Sequence, residues 1–270
     1  MPGIADFFRN EKIEYYSLLA YSDCGVIRDG IMKRESFTPR SVIVFLVPYY
    51  TGDGKNLSSY AVSKDYHIIA GDILNRLLAA VRTCFPECSA KGYVDSSPID
   101  ERHAAAVAGL GILGDNGLLI NEKYGSYVFI AELVTDIEPS ALGAPKPSAP
   151  NFCEGCGKCS IACPTGRISD KSRPCLSEIT QKKGELSEYE EELISRLGVA
   201  WGCDECQKVC PHNIGIERTP IDVFYDSRIE NLTLDGLAKM DKATFSERAF
   251  SWRGRKTLER NLKILRKTEA

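Results

Sequence analysis

The sequence has no long hydrophobic run. Its longest apolar stretch, Ser41–Tyr50, is far too short to cross a bilayer. The opening MPGIADFFRNEK lacks a basic-then-apolar leader, so nothing in it directs the chain to an oxidising compartment. A cytoplasmic protein without membrane attachment is expected. No G-x-G-x-x-G follows the first strand-like segment, which leaves a Rossmann-type dinucleotide site unsupported. Histidine is scarce, at three residues, and there is no low-complexity tract. The net charge of −3 is too small to point to a class of partner.

Cysteine, by contrast, is concentrated. Eight of the eleven cysteines lie between positions 153 and 210. They read Cys153-x2-Cys156-x2-Cys159-x3-Cys163-Pro164, then Cys175 alone, then Cys203-x2-Cys206-x3-Cys210-Pro211. A C-x2-C-x2-C loop wraps three thiolates around one face of an iron–sulfur cube, while the outlying cysteine of such a run reaches a second cube. Exchange of the outlying residues assigns Cys153, Cys156, Cys159 and Cys210 to one [4Fe–4S] cluster. Cys163, Cys175, Cys203 and Cys206 then hold the other, with none of the eight left over. Zinc is the competing metal, but a zinc ribbon uses two isolated C-x2-C pairs rather than a triple run closed by Cys-Pro. A disulfide framework is disfavoured by the same lack of a leader. Cys24, Cys84 and Cys88 are expected to be small buried hydrophobes or incidental.

With 270 residues, 43% of them hydrophobic, the chain can bury a substantial core and hold more than one domain. The periodicity predicts an α/β region over 1–145. Ile4–Leu19 and Asp65–Cys84 have helical spacing, whereas Ser41–Tyr50, Gly92–Asp95, Gly117–Asn121 and Tyr127–Val134 are strand-like. Between them Ser97 suits a helix N-cap with Pro98 at the first helical position, and that helix closes in Ala108-Gly109-Leu110-Gly111. These glycines fit a helix end and turn, or a place where backbone approaches a ligand closely. Four prolines in Pro139–Pro150 mark a boundary. A double-cluster domain over 146–220 follows, with a helix at Ser187–Leu197, and then a basic helical segment over 221–270. From Lys239 onward ten Lys/Arg face four acids. That surplus suits RNA or an acidic electron donor, and equally a solvated helix whose Leu258, Leu262 and Leu265 face the core.

Two clusters form a wire, and a wire alone does not need the preceding α/β region, which is expected to hold whatever receives the electrons. There the residues carry a family likeness. Val94–Arg102 (VDSSPIDER), running into Ala108–Asn116 (AGLGILGDN), resembles the central motif of epoxyqueuosine reductases. So do Gly125–Phe129, Glu132–Asp136, Asp65-Tyr66-His67, Ala162–Gly166, Gly202–Pro211 and Arg260-Asn261. The similarity covers nearly the whole chain.

The resemblance implies a nitroreductase-like α/β domain binding base-off cobalamin, followed by a bacterial ferredoxin-like α+β domain with two [4Fe–4S] clusters. The implied oxidoreductase reaction converts the epoxide of epoxyqueuosine, in tRNA, to the alkene of queuosine. Asp95 is the implied proton donor, against an alternative duty as an Asx-turn residue before the next helix. By motif, Asp65, His67, Arg102, Gly109, Gly111, Asn116, Gly125 and Ser126 fall at cofactor-binding positions. Arg102 also suits pairing with Glu101 or Asp100, and base-off binding does not require His67 as a cobalt ligand. The implied partners are tRNA or a smaller queuosine-type substrate, and ferredoxin or flavodoxin as donor to a monomer. Three residues depart from the family pattern: Asp115 replaces a lysine, Ile112 an aromatic and Asp100 an apolar residue. The sequence also stops just past Asn261, where typical members continue into a helical-repeat tail that helps hold tRNA. Two other classes remain open: a ferredoxin-like electron-transfer protein, and a corrinoid or flavin reductase acting on another small molecule.

Overall fold

The structure is a computed structural model that describes residues 3–268. The chain forms two compact units. One contains the chain up to Pro48 together with His67–Gly155; the other contains Tyr49–Tyr66 and the chain from Cys156 onward.

The first unit is built on an antiparallel sheet. Its strands are β1 (Tyr16–Ala20), β2 (Ser41–Pro48), β3 (Ala90–Val94) and β6 (Val128–Thr135), in the order β1-β2-β6-β3. A separate two-stranded ribbon pairs β4 (Ile112–Leu113) with β5 (Leu119–Ile120). Every residue of β2 is buried, which accounts for its unbroken apolar run in place of alternation. The helices are α1 (Ile4–Asn10), α2 (Asp29–Met32), α3 (Tyr66–Cys84), α4 (Glu101–Val107) and α5 (Pro139–Leu142). On α3, Ile69, Ile73, Leu77 and Val81 form the buried stripe that their four-residue spacing predicts. Ala104–Val107 of α4 pack with Val42, Val44, Leu46, Ile130 and Val134 on one face of the sheet.

The second unit is helical: α6 (Lys158–Ala162), α7 (Leu176–Gln181), α8 (Glu188–Leu197), α9 (Glu205–Lys208), α10 (Leu234–Lys239), α11 (Lys242–Ser246) and α12 (Arg255–Thr268). Its cores gather Leu57, Trp201, Phe250, Leu258 and Leu262 in one cluster and Leu176, Ile179, Leu193, Ile194 and Ile264 in another. Ser187 caps α8 in a capping box with Glu190, at the start of the helix predicted over Ser187–Leu197.

Four expectations differ. Ile4–Leu19 is not one helix, because α1 stops at Asn10 and the chain re-enters as β1, where cross-strand pairing overrides helical spacing. Helix α4 begins at Glu101, and its N-cap is Asp100, whose carboxylate accepts from the Arg102 and His103 amides. Ser97 instead accepts from the Ile99 amide in the turn before it. Strand pairing in the second unit is confined, among the described residues, to isolated bridges such as Leu57 with Trp201, so the cysteine-bearing part is helical rather than α+β. Finally, the units do not divide at 145 and 220. Tyr49–Tyr66 joins the second because Leu57, Ala61 and Val62 bury against Ala200, Trp201 and Phe250.

Candidate active site and cluster ligands

In the second unit, four of the predicted ligands lie close enough to act on one another. Cys163 caps the end of α6, Cys175 starts α7, Cys203 precedes α9 and Cys206 lies on it. Burial pushes the Cys175 thiol up, and Cys163 adds to the shift. Burial likewise pushes Cys203 up to about 12, with Cys175 and Cys206 contributing as like charges. At Cys163 burial works the same way, but amides of Ile168, Thr165 and Arg167 and the Thr165 hydroxyl outweigh it, and its value falls. This quartet is the set that the spacing assigns to one cluster. A cubane takes one thiolate per iron, so its sulfurs stand apart. The donor set fits a [4Fe–4S] cluster.

Of the other four cysteines, Cys153 belongs to the first unit and Cys156, Cys159 and Cys210 to the second. The Cys153 sulfur accepts from the Asp115 amide at 3.4 Å. Cys24 is buried, as expected for a small hydrophobe, whereas Cys84 is exposed.

Specific residues of the second unit hold the cysteine segments. Asp204, inside the Cys203-x2-Cys206 loop, is buried and accepts from the Ser59 amide at 2.6 Å, from the Ser58 hydroxyl and from Gln207 Nε2 at 3.2 Å. Burial raises its pKa despite these donors. Gly202 cannot carry a side chain, because a Cβ there would lie 2.3 Å from Ser58 Cβ and its φ is +78°. Much of the basic C-terminal surplus is structural. Arg255 donates to the carbonyls of Leu237, Met240 and Asp241, Arg260 to those of Lys182 and Gly184, and Arg248 is buried. Lys256, Lys263, Arg266 and Lys267 remain exposed on α12.

In the first unit, Asp95 follows β3 with φ +63°, a left-handed conformation that few non-glycine residues adopt. Its carboxylate Oδ2 lies 3.2 Å from His67 Nε2, and both side chains are about half exposed (51% each). Asp95 therefore does not cap α4; Asp100 does. The Asp95 amide donates to Glu101, whose carboxyl is pushed up to about 7, first by burial and then by the Asp95 charge. Deeper still is Glu132 on β6, with no exposed surface and paired across the sheet with Val44 and Tyr93. It lies on the same face as Ile130 and Val134, by the two-residue period of a strand. Burial drives its pKa well above the usual carboxylate range, and Glu101 and Asp95 add to this while the Ser97 hydroxyl opposes it. Sequence reasoning gave Glu101 only as a pairing partner for Arg102 and assigned no role to Glu132. The available signal was a lone carboxylate inside the otherwise apolar Val128–Val134 run.

The remaining predicted cofactor positions divide. Gly111 is explained by packing, since a Cβ there would meet the Ile120 carbonyl oxygen at 2.5 Å. Gly109 ends the α4 turn in left-handed conformation with open space around it. Gly125 pairs with Asn121 in a tight turn, and the neighbouring Ser126 is buried. Arg102 donates to the Gly117 carbonyl at 2.9 Å and lies 3.7 Å from Asp100, as a structural residue does. Asn116 is different: its Oδ1 accepts from the Leu118 amide, but its buried Nδ2 has no partner in the protein. Asp65 belongs to the second unit, where its amide donates to the Glu247 carbonyl.

Comparison with known proteins places this geometry. An epoxyqueuosine reductase of Gloeobacter violaceus is 35% identical over 76% of this chain and 68% of its own length. That of Staphylococcus aureus is 32% identical over 93% of this chain and 70% of its own. The chain belongs to the epoxyqueuosine reductase family. The family model described as epoxyqueuosine reductase QueG matches residues 35–96, and the model of a 4Fe-4S double cluster binding domain matches residues 152–213. The chain thus carries the iron–sulfur domain that its cysteines predict. Among solved structures, an epoxyqueuosine reductase with an epoxyqueuosine-modified tRNA-Tyr stem loop shares the fold, at 23% identity and a TM-score of 0.77 over 98% of this chain and 80% of that one.

Proposed function

We propose that this protein reduces the epoxide of epoxyqueuosine, in tRNA, to the alkene of queuosine. The observation that carries this reading is the site around Asp95 in a chain of this family: a half-exposed carboxylate, held by His67 and backed by Glu101. Removal of an epoxide oxygen as water needs protons at that oxygen as the C–O bonds break, and Asp95 is placed to give one. His67 orients the carboxylate.

Cys163, Cys175, Cys203 and Cys206 would hold one cluster and Cys153, Cys156, Cys159 and Cys210 the other, and the two would supply low-potential electrons received from a ferredoxin or flavodoxin. The unpartnered, buried amide nitrogen of Asn116 fits a polar group of a cofactor, and it supports cobalamin, taken base-off, in the first unit. Ser126 and the backbone at Gly109 and Gly125 would help to hold it, and when bound it supplies electrons to the epoxide carbon at low potential. The exposed Lys256, Lys263, Arg266 and Lys267 suit the phosphates of tRNA.

Complementation of a strain lacking epoxyqueuosine reductase tests the reading. The parent gene should restore queuosine to tRNA and Asp95→Asn should not. Tight cluster reconstitution without rescue would favour an electron-transfer protein instead.

A further inference from the structure

Resting on the role given to Asp95, we propose that Glu101 and Glu132 form a proton store behind it, supplying the second proton that the reaction consumes. The need follows from balance. An epoxide carbon–carbon unit becomes an alkene by gaining two electrons, here from the low-potential donor, and two protons, while both C–O bonds break and the oxygen leaves as water. Asp95 gives one proton to the oxygen and becomes a carboxylate. It cannot give the second without being recharged.

Two further carboxyl groups belong to the same region, since the sheet register sets Glu132 opposite Tyr93, two residues before Asp95. Glu101 accepts the Asp95 amide, so it lies against the loop that holds the acid, and its Oε2 is enclosed without a partner. Behind it Glu132 is fully enclosed, with the Ser97 hydroxyl as the donor that acts on its carboxyl group. An ionised carboxylate enclosed in this way costs several kcal/mol, so the group takes a proton instead.

The surroundings reinforce this. Asp95 and Glu101 face Glu132 as like charges, with only the Ser97 hydroxyl opposing. Cys24 and Tyr93 sense Glu132 from their own segments, and neither is a cation. Glu101 has Asp95 and Asp100 beside it and one cation, Arg102, whose guanidinium is engaged by the Gly117 carbonyl. His67 faces Asp95 from α3 and completes the chain on the solvent side. Protons of this store recharge the spent Asp95 carboxylate, Glu101 being the member that meets the Asp95 loop, and solvent protons refill the store between turnovers through the exposed His67–Asp95 end.

Infrared spectroscopy of the full-length chain with its clusters reconstituted tests the proposal. At neutral pH the parent should show the carbonyl stretch of protonated carboxylic acid, retained in Asp95→Asn and weakened in Glu132→Gln and in Glu101→Gln. Absence of the band from the parent, or an undiminished band in both Glu132→Gln and Glu101→Gln, would overturn the proposal. Both glutamine variants keep the shape and neutrality of the acid, and Glu101→Gln serves if Glu132→Gln fails to fold. In turnover, kcat of either variant should drop about tenfold to a hundredfold with KM unchanged, and its alkaline limb should move to lower pH. An unmoved alkaline limb contradicts the store. A parent that shows the band yet reduces no epoxyqueuosine would overturn the functional reading, and the second-proton assignment with it.

Discussion

Asn261 donates from its carboxamide to the carbonyls of Thr180 at 2.7 Å and Ala200 at 2.8 Å, at a position with no solvent exposure. Its Oδ1 accepts in turn from Arg260 Nε at 3.0 Å and Nη2 at 2.9 Å. One residue of α12 thus ties down the end of α7, which Cys175 starts, and the segment leading into Cys203. Asn261→Ala strands two buried carbonyls at roughly 1–3 kcal/mol each. The expected loss is about 2–6 kcal/mol in urea unfolding, together with poorer iron retention. A loss below about 1 kcal/mol would contradict the role.

Replacement of the lone Cys175 separates the two ligand sets. Cys175→Ser should remove one cluster and leave the other, halving the iron per chain after reconstitution. Full iron content, or loss of all of it, would show that the sets are drawn wrongly. The thiols of Cys175 and Cys203, pushed up by burial, must be deprotonated to bind iron, so cluster assembly should release protons and weaken as pH falls.

The strained backbone at Asp95 sets stability against chemistry. A non-glycine residue held at φ +63° costs on the order of 1 kcal/mol or more, which glycine avoids. Asp95→Gly should therefore unfold no more easily than the parent while activity drops by about 10²–10⁴, the usual contribution of a positioned proton donor. Near-parental turnover in Asp95→Gly would remove Asp95 from the reaction.

Glu101 gives a pH dependence of defined sign. Its value is raised from 4.5 in the free side chain to about 7 in the fold, because burial disfavours the charged form. The unfolded chain releases this proton more readily. Its contribution to stability is therefore fully present below about 4.5 and is lost as pH rises through about 7. Melting temperature measured against pH should fall across that window in the parent, and less steeply in Glu101→Gln. Parallel curves would place the titration elsewhere.

The departure at Asp115 has a consequence for the clusters. Its amide donates to the Cys153 sulfur at 3.4 Å, while its side chain puts a negative charge where the family pattern has a lysine. Negative charge beside a cluster disfavours adding an electron. Asp115→Lys should raise the potential of the cluster on Cys153 and leave the other unchanged in a redox titration. Equal movement of both, or of neither, would separate Asp115 from that cluster.

The sequence determined the chemistry that depends on spacing. Cysteine intervals count along the chain, so the double-cluster domain, the family membership and the helical stripes of α3 and α12 could be read directly. Asp100, which looks like a departure at a cofactor-facing place, proves to be the cap of α4. That duty was misassigned to Ser97 because several cap-competent residues stand in a row and only the backbone path selects among them.

Tertiary structure alone decided the rest. The chain could not reveal that Tyr49–Tyr66 packs with the cysteine-bearing unit, because that follows from Leu57 and Trp201 meeting across more than a hundred residues. Nor could it reveal that Glu132 is fully buried opposite Tyr93 and that Glu101 accepts from the Asp95 amide. Proximity in three dimensions and exclusion of water set the protonation of a carboxyl group, and neither is written in its neighbours along the chain.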